Sequence, residues 1–82
     1  METVIGRVTH YFPKVGVAVV ILDDHLASGE TIHIRGPHDD FHQTVNSMEV
    51  DHQRITEARK GQDIGIQVIQ RVHEGDLVYR ET

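Results

Sequence analysis

The run Pro37-His38-Asp39-Asp40-Phe41-His42 is where this chain comes nearest to a ligand set. Imidazoles and carboxylates are suitable ligands for zinc or nickel. On an extended strand, at ~3.3 Å per residue, His38 and His42 stand about 13 Å apart. They can share an ion only if the loop folds back, and the ordinary reading is a solvated hairpin loop. No cofactor is expected, and His38 and His42 are the weak metal candidates. His10, His33, His52 and His73 each fall in or beside an expected strand and are read as solvent-facing.

Arg54, Arg59 and Lys60 form the basic cluster, with Arg71 as a possible neighbour. Such a cluster can meet an RNA phosphate or an acidic partner protein. Its ordinary alternative is a solvated turn balanced by Glu57 and Asp63. Tyr11-Phe12, beside Pro13 and Lys14, is a candidate platform for a base or terminal nucleotide. More often such a pair splits, with one ring in the core and one at the rim. Ser28 and Ser47 lie in turn or bulge contexts, where serine serves backbone hydrogen bonds. No serine stands at recognisable motif spacing from a histidine and an acid. The absence of cysteine excludes disulfides, thiolate metal sites and thiol catalysis. The expectation is a protein that is not an enzyme.

The elements that must hold these residues are strands. Val4 to Phe12 opens as one, with Val4, Gly6 and Val8 on a shared face, and Pro13-Lys14 turns the chain. Val15 to Leu22 is apolar on both faces, as in a central strand covered on each side. Asp23-Asp24-His25 breaks the pattern, and Leu26 reads as an apolar anchor that ties this loop to the core. Gly29-Glu30 leads into Thr31 to Arg35, with Ile32 and Ile34 inward and His33 and Arg35 outward. Gly36-Pro37 ends that strand, and the loop Pro37 to Asp40 is expected to be exposed. Phe41 to Asp51 reads as a long fourth strand whose alternation slips, which predicts a β-bulge near Asn46-Ser47. Ile55 to Lys60 allows one helical turn, capped by Thr56 and stopped at Gly61. Ile64, Ile66 and Val68 mark a fifth strand. Gly75-Asp76 turns the chain into Leu77 to Arg80.

Eighty-two residues make a single domain, 1–82, and six strands with turns about every ten residues predict an all-β fold. The expected architecture is a six-stranded antiparallel closed β-barrel, whose closure leaves no free edge. The net charge of −5 argues against a mainly electrostatic nucleic-acid binder, though not against a local basic patch. The first residues carry no signal pattern, and the longest apolar run, Val15 to Leu22, is far below the ~20 needed to cross a bilayer. A cytoplasmic protein with no membrane association is expected, and nothing in the sequence fixes its oligomeric state.

Read in order, several of these segments resemble the second domain of elongation factor Tu, the barrel shared by translational GTPases. They are Gly6-Arg7-Val8, Val15 to Val19, Leu26-Ala27-Ser28-Gly29-Glu30-Thr31-Ile32 and Gly36. They continue with Thr44-Val45-Asn46-Ser47-Met48-Glu49, Glu57 to Ile66 and Gly75-Asp76-Leu77-Val78. Gln62 departs from the pattern by displacing the expected acid to Asp63. There is no Gly-x-x-x-x-Gly-Lys-Ser/Thr loop, so this chain has no nucleotide-binding loop. The resemblance implies a translation factor-like binding module that engages a translation component, a tRNA, the ribosome or a partner protein. A similar barrel is appended to U32-type peptidases, which makes an accessory subunit of a U32-like peptidase or tRNA-modifying enzyme the alternative. A small metal-binding protein is a third reading.

Overall fold

The computed structural model describes residues 1–81 and is built from strands. They are β1 (Glu2–Phe12), β2 (Val17–Leu22), β3 (Leu26–Ala27), β4 (Thr31–Arg35) and β5 (Asp40–Thr44), then β6 (Met48–Val50), β7 (Gln53–Ile55), β8 (Glu57–Ala58), β9 (Asp63–Gln67) and β10 (Leu77–Glu81). Eight of them form one sheet in the order β5-β4-β10-β1-β2-β9-β6-β7, and β3 pairs with β8 alone. Every pairing is antiparallel.

The all-β expectation holds, and the six-stranded closed barrel does not. The sheet is open, with β5 and β7 as its two ends. Both end strands are short, at five and three residues, and carry polar side chains outward, which blunts them as templates for further pairing. In place of a closing ladder, the buried Gln43 on β5 reaches the chain at the end of β9. Its Nε2 donates to the Gln67 carbonyl at 2.9 Å, and its Oε1 accepts from the Ile69 amide at 2.9 Å.

Local expectations are corrected where cross-strand pairing decides the outcome. Gly6 and Val8 share the buried face as expected, but Val4 does not. The register of β1 shifts between Val4 and Gly6 and again between Val8 and His10. Ile5 is therefore fully buried while Val4 is exposed. In β2 only Ala18, Val20 and Leu22 are buried, and Val17, Val19 and Ile21 on the opposite face are half-buried. The predicted fourth strand is two strands. Phe41, Gln43 and Val45 point inward, then residues 45–47 cross from β5 to β6, where Met48 points inward again. The slip in alternation marks this crossing, and no β-bulge is needed. The helical turn over Ile55 to Lys60 is absent. That stretch holds the ends of β7 and β8 and a turn in which the Gln62 amide donates to the Arg59 carbonyl.

The turns follow glycine and local polar chemistry. Gly29, Gly61 and Gly75 have φ of 92°, 89° and 94°, values that a side chain disfavours. Asp51 and His52, at φ 51° and 65°, form the two-residue link between β6 and β7. Two positive φ values match the primed hairpin turns, whose twist suits a β-ribbon. The core gathers Ile5, Val20, Leu22, Ile32, Ile34, Met48, Ile64 and Ile66 on the inner face, and Leu26 is buried as an anchor. Arg80 fastens the loop before β4. It donates from Nη1 to Asp24 and from Nε to Glu30, each at 3.1 Å, and from Nη2 to the His25 carbonyl.

Candidate functional site

The ionisable side chains gather where β4, β5 and β10 meet the loops around Pro37 and His73. The first cluster is set by register. β4 lies between β10 and β5, so Tyr79, His33 and His42 stand side by side across three strands. The two imidazoles stack with centroids 4.0 Å apart, and the Tyr79 ring is 5.7 Å from His33. His33 Nδ1 is 2.7 Å from Glu2 Oε2, and its Nε2 is 2.5 Å from Asp40 Oδ1. His42 Nδ1 contacts Glu81. His33, expected to face solvent, is buried at 7% exposure beneath these neighbours.

Two carboxylates on one imidazole favour its charged form. The hydrogen bond to Asp40 is the largest cause that raises His33 above its ordinary 6.5; burial opposes it and Glu2 adds to it. Asp40 is lowered below 3.8, first by its hydrogen bond to His33. The raised histidine stabilises the fold fully below about pH 6.5 and loses that contribution as pH rises through its folded-state value. The lowered carboxylate contributes above about pH 3.8 and fails as pH falls through its own folded value. The pair is therefore strongest between those limits. His33→Gln is expected to destabilise the fold more at about pH 5.5 than at about pH 9. Urea unfolding at the two pH values checks this, and equal losses would contradict it.

The second cluster is built by two tight turns. In one, the Gly36 amide donates to the Asp39 carbonyl at 2.8 Å. In the other, the Asp76 amide donates to the His73 carbonyl at 3.1 Å, and Asp76 Oδ2 accepts from the His73 amide at 3.0 Å. The turns bring Asp39 Oδ2 to 2.7 Å from His73 Nδ1. Asp39 and Asp76 are 7% and 1% exposed. Asp76 Oδ1 is the buried side-chain oxygen with no hydrogen-bond partner among the described residues. Burial first, then the Asp39 carboxyl beside it, pushes Asp76 above 3.8. Burial also pushes Asp39 up, but hydrogen bonds from Asp76 and His73 outweigh it and hold Asp39 low. Two carboxyls enclosed side by side repel as a pair of anions, which favours a proton or a cation between them. A cleft of about 640 Å³ opens beside them, lined by Tyr11, His38, Arg71, His73 and Asp76 among others.

The residues singled out from sequence are dispersed. His38 and His42 do not converge; His38 lies by His73, ring centroids 5.2 Å apart, and His42 lies by His33. Tyr11 and Phe12 split. Tyr11 packs half-buried against the core and lines the first cleft with Arg71. Phe12, 47% exposed, lines a second hollow of about 640 Å³ with Val15, Val17 and Val19. Arg54 sits on β7 opposite Glu49 of β6, and Arg59 borders a third, smaller hollow beside Ala58, with Lys60 exposed next to it. Asp39, assigned to an exposed loop, is buried, and Asp76, read only as turn chemistry, is the most enclosed acid of the group. Nothing local in the sequence marked either acid, and only the fold brings Gly36 against Asp76. A β-carbon at Gly36 would lie 1.9 Å from Asp76 Oδ1, so the glycine reserves space for that carboxyl.

No helix among the described residues is long and apolar enough to cross a membrane. No family model matches the chain. Over 76 residues it is 38% identical to an uncharacterized protease of Methanocaldococcus jannaschii, a match that takes in 92% of this chain and 19% of that protein. The chain thus spans about a fifth of the relative's length. The crystal structure of the C-terminal domain of a Geobacillus thermoleovorans protein described as a U32 peptidase superposes with TM-score 0.89 at 23% identity, over 96% of this chain and 92% of that one. Its selenomethionine variant gives the same score and identity over 99% of that chain. These likenesses overturn the expected kinship with elongation factor Tu and the translation factor-like reading built on it. The motifs behind that expectation are strand-launching glycine turns, which any small β domain can use. In fold, the chain matches the β domain that ends a U32 peptidase, and its similarity in sequence is to a protease.

Proposed function

We propose that this chain is a non-enzymatic accessory module of a U32-type peptidase, acting as its terminal domain or as a separate subunit. The observation that carries this reading is the asymmetry of the match, which takes in 92% of the chain and 19% of the protease. A module of that size adjoins a much larger body. The cysteine-free composition is in keeping with work in the cytoplasm.

The surface best suited to that body is the open face of β2. Val17 and Val19 are half-buried there, flanked by Phe12 at 47% and Val15 at 61% exposure. Glu49, Asp51 and Asp63 border the same hollow. An apolar floor with an acidic border suits a partner face that offers apolar side chains ringed by Lys or Arg. The basic residues Arg54, Arg59, Lys60 and Arg71 lie outside this hollow and take no part in the proposed contact.

Calorimetric titration of this chain into a U32 peptidase body truncated before its own C-terminal domain tests the reading. Saturable one-to-one binding with a Kd of about 1–10 μM is expected, typical of a modest transient interface. Absence of binding at about 100 μM would contradict it.

A further inference from the structure

We propose that Asp39, His73 and Asp76 form a binding site for one divalent cation of the zinc class, a property beyond the accessory role and independent of it. One ligand atom from each residue lies within 4.8 Å of the other two. Asp39 and Asp76 are buried, and His73 is half-exposed. Two acids enclosed beside one another require a positive charge or a proton between them. Asp76 Oδ1 has no partner among the described residues, and Gly36 leaves the space it occupies.

The donor set of one imidazole and two carboxylates is one that zinc accepts. Tetrahedral ligands about 2.0 Å from zinc stand about 3.3 Å apart. The 2.7 Å contact between His73 Nδ1 and Asp39 Oδ2 therefore has to open by about 0.6 Å. The cleft gives the ion a path to His73 and Asp76. It also leaves a fourth position for water or for His38, whose exposed ring is 5.2 Å from that of His73. Three protein ligands with one open position is the arrangement of a reactive or exchangeable zinc rather than a closed structural one.

The neighbouring group of Glu2, His33 and His42 also has three ligand atoms within 4.8 Å of one another. Both nitrogens of His33 already meet carboxylates, and His42 Nδ1 meets Glu81. An imidazole engaged at both nitrogens has no lone pair for a metal. That group serves as the internal control.

Zinc chloride titrated into the whole chain by calorimetry, with cobalt(II) absorption as a readout of coordination geometry, tests the site. One equivalent is expected to bind in the micromolar range, with the intense visible bands of tetrahedral cobalt. Asp76→Asn and His73→Gln are each expected to weaken binding about 10- to 100-fold, while His42→Gln leaves it within about twofold. Circular dichroism reports whether each variant folds. His73→Gln alters a half-exposed side chain and decides the question even if Asp76→Asn does not fold. Failure to saturate at about 1 mM zinc would overturn the proposal, as would binding that His42→Gln removes and His73→Gln leaves intact.

Discussion

Gly36→Ala is expected to destabilise the domain by about 3 kcal/mol. The new methyl would lie 1.9 Å from Asp76 Oδ1, 2.7 Å from its Cγ and 3.4 Å from its Cα. The first two contacts are far inside van der Waals range, and the third, to backbone, limits how far the turn can retreat. Relief requires the carboxyl to leave its place, which costs the 3.0 Å hydrogen bond from the His73 amide and the contact with Asp39. Overpacking costs about 1–3 kcal/mol, and a buried donor left without its acceptor adds about 1–3. For a domain this small, 3 kcal/mol is a large share of a total of about 4–12 kcal/mol and lowers Tm by roughly 12–24 °C. Urea unfolding gives the value directly. The diagnostic arm is Gly36→Ala placed on Asp76→Ala, where the cost should fall below about 1 kcal/mol because the two changes share one contact. Equal costs in both backgrounds would show that Gly36 has no steric relation to Asp76.

Gln43→Met is expected to cost about 2–4 kcal/mol. Methionine matches the length and volume of glutamine, so little cavity forms. What is lost is hydrogen bonding at a site 8% exposed. Gln43 accepts from the Ile69 amide and donates to the Gln67 carbonyl, each at 2.9 Å, with a longer 3.4 Å contact to the Thr44 carbonyl. Its removal strands one backbone donor and one acceptor at about 1–3 kcal/mol each, partly recovered if water enters. The readout that separates this from a generic packing defect is local. Amide exchange should accelerate at Ile69 more than at Ile64, which lies in the ladder with β2. Unchanged protection at Ile69 would show that β5 and the end of β9 are held together by something other than this side chain.

These two residues also show where sequence reading stops. Phe41, Gln43 and Val45 alternate in one phase, and the structure turns all three inward, but the sequence did not mark Gln43 as buried. Its partners lie 24 and 26 residues away, and no local pattern records them. The same separation hid Asp39 and Asp76, which meet across two turns more than thirty residues apart. Elements governed by nearest neighbours were the readable ones. The alternation of Ile64, Ile66 and Val68, which the structure turns inward, and the turns at Gly29 and Gly75 stand as expected. Strand β1 did not read correctly because a register shift against β10 between Val4 and Gly6 turns Ile5 inward, and a second against β2 follows between Val8 and His10. The closed barrel failed for a similar reason. Strand count and spacing suit either an open or a closed sheet, and the difference lies in whether β5 and β7 find partners.

The site was partly visible. His38 and His42 were singled out together, yet they belong to two different clusters, each completed by residues from β1 or β10 and its preceding turn. His33 was misplaced because its strand phase puts it on the outer face, where Glu2, His42 and Tyr79 cover it. An outer position is exposed only when its cross-strand neighbours are small.

The accessory role is tested most directly by repeating the titration against the truncated U32 peptidase body with Val15→Glu beside the unaltered chain. Val15 is 61% exposed in the turn before β2, so the substitution leaves the core untouched while placing a charge in the hollow beside the open face of β2. The unaltered chain should bind at micromolar concentration, and Val15→Glu should bind at least about tenfold more weakly, a loss of about 1.4 kcal/mol. A body that ignores the unaltered chain would contradict the accessory role. Equal affinity for both chains would show that the module meets its peptidase through another face.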